Sequence, residues 1–277
     1  MSRSRHLINS GYQQGATSNV RRIGNMVMES LIVQIAKERF AHPASQLVHF
    51  VEDNDEANAI LNNLEQYPHA YVLACLMDRQ IKAERAWIIP YAVAKAVGSF
   101  LLSDLASIDL PELKRIFDSN KLHRFNDTMA SVFHDAVWRI QRDYQGNAAR
   151  IWSNNPSSSA VVYRFLEFKG SGIKISTMAA NILARQFRIP FSDYYSIDIS
   201  PDVHITRVMK RMGFVPFGAS NDMVIYKARE INPEFPGIID FSCWEIGRKW
   251  CRPKSPSCSE CVVTSECKKI ITAHGDG

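Results

Sequence analysis

"FKGSGIKIS", Phe168 to Ser176, is the stretch that decides how this chain is read. It lies between two segments with the apolar spacing of helices. Upstream, "SSSAVVYRFLEF" begins with N-cap candidates and carries Val161, Val162, Phe165 and Leu166 on one face. Downstream, "KISTMAANILARQF" repeats that spacing with Ile175, Met178, Ala179 and Ile182. Two short helices joined by "KGSG" make a helix–hairpin–helix. Gly170 and Gly172 permit positive φ and leave the backbone amides uncovered. Those amides, with the N-terminus of the second helix, form a pocket for a phosphate oxygen. Lys174 falls in the first turn, where the helix dipole disfavours positive charge. An amine held partly neutral there can attack a sugar carbon and form a Schiff base. Taken alone, a plain helix–helix turn and a surface lysine touching phosphate would look the same.

Outward from the hairpin, helical patterns dominate and no segment alternates as a strand. The first 16 or so residues look loose, and a helix is expected over about 19–40. "DEANAILNNLEQ" is a second, 69–103 reads as helix with a break near Pro90, and "LPELKRIFDS" and "FNDTMASVFHDAVWRIQRDY" supply two more. In "SPDVHITRVMKRMG", Ser200 suits the N-cap, Pro201 the first helical position and Gly213 the end. Asp202 then falls near the second helical position, and Ile205, Val208, Met209 and Met212 form the buried stripe. The chain turns irregular over 214–240, read as a crossing between domains.

Composition bounds the partners. The 277 residues are 46% apolar and 22% charged, the balance of a soluble globular protein. Lys and Arg exceed Asp and Glu by 33 − 28 = 5, a mild bias toward a polyanion. The N-terminal stretch has no apolar core of a secretory signal, and no apolar run approaches the roughly 18–20 residues that span a bilayer. A cytoplasmic location is expected, nucleoid-associated in a prokaryote, where cysteine clusters hold metal more often than disulfides. Four of the six cysteines are spaced Cys251-x6-Cys258-x2-Cys261-x5-Cys267. Pro253 and Pro256 keep them off one helix, so they close a compact loop around a tetrahedral acceptor. Zinc and an iron–sulfur cluster each accept four thiolates, and ligand count does not separate them. Cys75 and Cys243 fall outside the pattern and read as buried thiols.

With the hairpin, the 6-2-5 cysteine spacing after "FSCWEIGRKWC" and the segment "DVHITRV", the sequence resembles the endonuclease III-like DNA glycosylases. The resemblance covers about 60–270. It implies an all-α, two-domain helix–hairpin–helix glycosylase fold with a cleft between the domains. A helical barrel would occupy 69–213, and 1–68 would join 214–277 in a discontinuous iron–sulfur domain. It implies a base-excision repair enzyme, bifunctional with AP-lyase activity, acting as a monomer on double-stranded DNA and away from membranes. Lys174 would be the nucleophile and Asp202 would stabilise the developing oxocarbenium charge. Asp198 is the rival carboxylate. The cysteines 251, 258, 261 and 267 would hold a [4Fe–4S] cluster that shapes a DNA-gripping loop, with Arg248, Lys249, Arg252 and Lys254 on phosphates. Such an enzyme extrudes its target nucleotide and fills the gap. "ACLMDRQIKAE" points to Gln80 for that task, and "HRFNDTMA" to Arg124 with Phe125 beside it.

The chain departs from the family at several places. Phe168-Lys169 stands where Leu-Pro is usual, Arg124 where leucine is usual, and Asn181 comes late after the lysine. The Lys174–Asp202 interval, 202 − 174 = 28 residues, is about ten longer, with "RIPFSDYYS" as a candidate extended loop. Trp87, Trp138, Tyr194 and Tyr195 are candidates to stack on an extruded base. His204 reads as a packing residue, while Arg207, Lys210 and Arg211 read as phosphate contacts or solvated charges. A monofunctional glycosylase, with Asp202 activating water, and a non-catalytic DNA-binding protein with a structural metal loop are the alternatives.

Overall fold

The structure is a computed structural model that describes residues 11–42 and 47–271, with side chains in the first helix described from Met26. Among the described residues every regular element is helical, and no helix is long and apolar enough to cross a membrane. The chain forms two compact units: one from the segment through Ala41 plus everything from Pro201 onward, the other His42–Ser200. The sequence placed those boundaries at 68/69 and 213/214.

The chain enters with α1 (Gly11–Ala41), which begins earlier than the apolar spacing indicated. The His42–Ser200 unit follows. Asn54 caps α2 (Asp55–Asn62) by accepting from the Ala57 amide at 2.9 Å. The centre of this unit is α3 (Pro68–Met77), all ten residues of which are buried. Burial on every side explains its near-continuous apolar sequence. The Tyr71 hydroxyl donates to the Ala179 carbonyl at 2.7 Å, bolting α3 to the second hairpin helix. The expected break near Pro90 is present at Ile88, and a second, longer one comes at 78–82. Pro90 lies in the first turn of α5 (Ile89–Val97), after the short α4 (Ala83–Trp87). A first-turn residue has no helical partner for its amide, so proline costs nothing there. Then come α6 (Leu102–Ala106), α7 (Leu110–Ser119), α8 (Asn126–Asp143), α9 (Ser158–Leu166) and α10 (Ile173–Arg185). The core is rich in rings. Phe50 and Trp87 stack at 4.3 Å, and Tyr71 meets Phe187 edge-on at 5.3 Å. Trp87, a candidate base-stacking residue, is thus a core residue, 4% exposed.

The other unit combines α1 with α11 (Val203–Met212), α12 (Asn221–Ile231) and α13 (Asp240–Lys249). The region read as irregular contains all of α12, capped by Ser220. Its sequence signal was weak because only Val224 and Ala228 along it are buried. Helices α11 and α13 cross closely. A side chain at 247 would begin 2.8 Å from His204 Cβ and 3.1 Å from its carbonyl, so Gly247 permits the approach. That crossing is why α11 belongs with the C-terminal segment and not with the hairpin.

Candidate functional site

The hairpin is built as α9–turn–α10, and its two glycines differ. Gly170 is left-handed (φ +83°), a conformation that L side chains adopt at a cost. A Cβ there would also stand 3.1 Å from Val132 Cγ2 and 3.2 Å from Arg79 Nη1. Gly172 corrects the expectation of positive φ. It is the N-cap of α10 in extended backbone (φ −113°, ψ 177°), with nothing within 4 Å of where a Cβ would be. It opens on free space, and Gly172, Ile173 and Lys174 are all exposed. Lys174 is the second residue of α10. Its side chain is exposed and finds no ion-pair partner among the described residues. Its main chain is fixed, since the Lys174 carbonyl accepts from Thr177 Oγ1 at 3.3 Å and Ser200 Oγ at 3.5 Å. Lys169, unusual at its position, pairs with Asp135 of α8 at 2.6 Å.

Two loops of the same unit carry the other DNA-facing candidates. Gln80 is exposed on the turn after α3 and holds φ +56°, a strained value for a residue with a side chain. Its neighbour Arg79 lies against the hairpin, as the Gly170 distance shows. Arg124 and Phe125 lie at the N-terminus of α8, with Phe125 at the N-cap. Phe125 is 41% exposed, and the Arg124 guanidinium lies 4.9 Å from its ring centroid. The structure therefore gathers the turn at 79–80, the 124–125 loop through α8, and the hairpin. Among the aromatic candidates, Tyr195 (64%) and Trp138 (48%) are exposed, and Tyr194 is half-buried.

Asp202, in the other unit, is the N-cap of α11, a place the sequence gave to Ser200. Its Oδ1 accepts from the amides of His204 (2.8 Å) and Ile205 (2.7 Å), and its other oxygen lies outside the cap. The rival Asp198 is buried, 4% exposed. His204 packs beneath Gly247 and lies 3.1 Å from Arg207 through Nδ1.

Arg207 and Arg211 correct the expectation of solvated or phosphate-bound charges. Both are buried, at 6% and 2% exposed. Arg207 donates to the carbonyls of Cys251 (2.7 Å), Gly247 (2.9 Å) and Val203 (3.0 Å). Arg211 donates to those of Arg252 (2.7 Å) and Pro253 (2.8 Å). The clue was present in their spacing, four apart and interleaved with the apolar stripe of α11. Together they clamp the start of the cysteine loop. Arg252 and Lys254 stay exposed, whereas Lys249 pairs with Glu245 at 2.6 Å and Arg248 lies over Trp244 at 4.8 Å.

Cys251, Cys258, Cys261 and Cys267 are free thiols, half-buried, and all line one cavity with Val208, Ile246 and Val263. No group of three or more His, Cys, Asp or Glu among the described residues is arranged to hold a metal ion. Donors nevertheless face the sulfurs: the Lys269 amide lies 3.4 Å from Cys267 Sγ, and Arg211 Nη1 lies 3.6 Å from Cys251 Sγ. Burial pushes the Cys261 and Cys267 thiols up, so thiolates there call for a bound cation. Cys75 and Cys243 are fully buried.

This helical architecture, with a glycine hairpin and a first-turn lysine, is the helix–hairpin–helix DNA glycosylase fold of endonuclease III and its relatives. A solved structure of a trapped endonuclease III–DNA covalent intermediate superposes with a TM-score of 0.56 at 17% identity, over 87% of this chain and 94% of that one. A thermostable thymine-DNA glycosylase gives 0.55 at 14% identity, over 87% and 96%. In sequence, the chain is 27% identical over 70 residues to Endonuclease III of Thermotoga maritima, a stretch covering 25% of this chain and 33% of that protein. No family model matches the chain.

Proposed function

We propose that this protein is a base-excision DNA glycosylase with AP-lyase activity. The observation that carries the reading is Lys174: exposed, without an ion-pair partner among the described residues, and on the first turn of α10 behind a hairpin that opens on free space at Gly172. Hairpin amides and the helix N-terminus would hold a backbone phosphate without reading sequence. Gln80, Arg124 and Phe125 would enter the duplex as the target nucleotide leaves it. Lys174 Nζ, as the free amine, would attack C1′, and the N-glycosidic bond would break with its electron pair leaving on the base, which takes up a proton shed by the attacking nitrogen. Ring opening, with a proton passing to the sugar O4′, would give the imine, and β-elimination would remove a proton from C2′ and expel the 3′ phosphate. Asp202, which follows the hairpin unit by two residues, would offer its uncapped oxygen to the positive charge that builds on the sugar.

The four cysteines would hold a [4Fe–4S] cluster, whose role here is to rigidify the loop bearing Arg252 and Lys254. The shared cavity and the donors aimed at sulfur support that reading.

Borohydride trapping on duplexes with oxidised pyrimidines, 8-oxoguanine, mismatched uracil or abasic sites tests the proposal. A covalent adduct that disappears in Lys174→Gln is the expected result. Base release without an adduct would instead establish a monofunctional enzyme with Asp202 activating water, a reading that its free oxygen also allows. Binding with neither would leave a non-catalytic DNA-binding protein.

A further inference from the structure

Three cations lie at the hairpin, and the proposed chemistry employs one of them. The attack needs Lys174 as a free amine, so its charge cannot be spent on holding a phosphate. Lys169 is already neutralised by Asp135 of α8 at 2.6 Å. The third cation is Arg79. Its amide donates to the Met77 carbonyl at 2.8 Å, which sets the turn after α3, and its side chain returns to the hairpin. A Cβ at Gly170 would stand 3.2 Å from Arg79 Nη1, and 3.1 and 3.3 Å from the two methyls of Val132. The guanidinium therefore occupies the face that Gly170 leaves bare, beside a Val132 that is 2% exposed. Arg79 is half-buried and forms no ion pair among the described residues. A guanidinium held against glycine and valine with no carboxylate upon it is placed for an anion arriving from outside.

We infer that Arg79 is a further DNA-binding residue, whose guanidinium takes the same backbone phosphate as the hairpin and supplies the charge that Lys174, as a free amine, withholds. The inference rests on the reading that the hairpin grips DNA. The planar fork of arginine offers a phosphate two parallel N–H donors, where a lysine would offer a point charge. Gln80 is the next residue, fixed at φ +56°. The phosphate held by Arg79 would thus set where along the strand Gln80 meets the duplex.

The test uses the full chain on a duplex with a tetrahydrofuran abasic analogue. Affinity is measured over a salt series, and again with one phosphate at a time replaced by an uncharged methylphosphonate. Arg79→Gln should bind roughly tenfold more weakly at low salt, with the slope of log affinity against log salt reduced by roughly 1. One methylphosphonate that weakens wild type should weaken Arg79→Gln no further, because protein and DNA then lack the same contact. Arg79→Lys should keep the slope and recover part of the affinity. A wild-type slope in folded Arg79→Gln would overturn the inference. So would an affinity loss at unchanged slope with a lower urea midpoint, which would make Arg79 a structural tie between the turn and the hairpin. Should Arg79→Gln not fold, Arg79→Lys carries the phosphate scan: a reduced effect at one position supports the inference, and a wild-type profile overturns it. If wild type itself shows no salt dependence and no sensitive phosphate, the DNA-grip reading fails and takes this inference with it. If wild type shows both and Arg79→Gln matches it at every position, the inference alone fails.

Discussion

At Asp202 a structural duty and a proposed chemical one share a single carboxylate. Oδ1 is committed to two amides of α11, and the other oxygen is not. The two duties separate by substitution. Asp202→Asn keeps an oxygen for the cap and removes the charge, so thermal stability should stay near wild type while base release falls by at least roughly a hundredfold. Asp202→Ala should lose activity and also about 1 kcal/mol of stability, a drop of roughly 2–4 °C in melting temperature. A monitored melt alongside single-turnover excision reads both. Equal melting of the two variants, both below wild type, would mean that the cap depends on charge more than on hydrogen bonding. The sequence identified this aspartate by its motif but misplaced it by two helical positions. Ser-Pro before a helix is an ordinary start signal, and only the observed hydrogen bonds show that the aspartate caps instead.

Across the hairpin, the same residue type serves two ends. Gly170→Ala adds a Cβ at φ +83° against Val132 and Arg79, so it should destabilise the hairpin by about 1–2 kcal/mol. Gly172→Ala meets open space in extended backbone and should melt like wild type or slightly higher. Any loss of DNA affinity in Gly172→Ala would then report a methyl group shading the amides of α10, with no folding defect to confuse it. The measurement is a pair of urea curves beside a pair of DNA titrations. Equal destabilisation by both substitutions would defeat this account of the turn. The glycine spacing was legible in the sequence, but the division of labour was not, because it depends on what α8 and Arg79 place beside each position.

On the scale of the whole molecule, charge has been sorted by burial. Arg211 of α11 donates to the carbonyl of Arg252 in the cysteine loop, yet the first is 2% exposed and clamps two carbonyls while the second is exposed. Arg211→Met should leave the Arg252 and Pro253 carbonyls without their donor, at about 1–3 kcal/mol for each group left unsatisfied. Iron content of the purified protein and hydrogen-exchange protection in α11 and α13 should fall with it. Arg252→Gln should leave both unchanged, weaken DNA binding across sequences, and reduce the slope of log affinity against log salt by roughly 1. The opposite pattern would assign the phosphate contact to the wrong arginine. The exposed face of Lys254 belongs to the same prediction, whereas Lys249 is already occupied by Glu245.

The sequence alone determined the local plan: apolar spacing marked most of the helical stretches before Gly213, two glycines and a lysine marked the hairpin, and the 6-2-5 cysteine spacing marked the loop. Those features depend on residues near one another in the chain, where propensity and stereochemistry act directly. Tertiary structure decided what the chain leaves open. It assigned α11 to α13 through Gly247, turned two arginines inward as clamps, and buried Trp87 in an aromatic core. Each of these rests on which distant surface removes a side chain from water. The chain does not state that until its helices have packed.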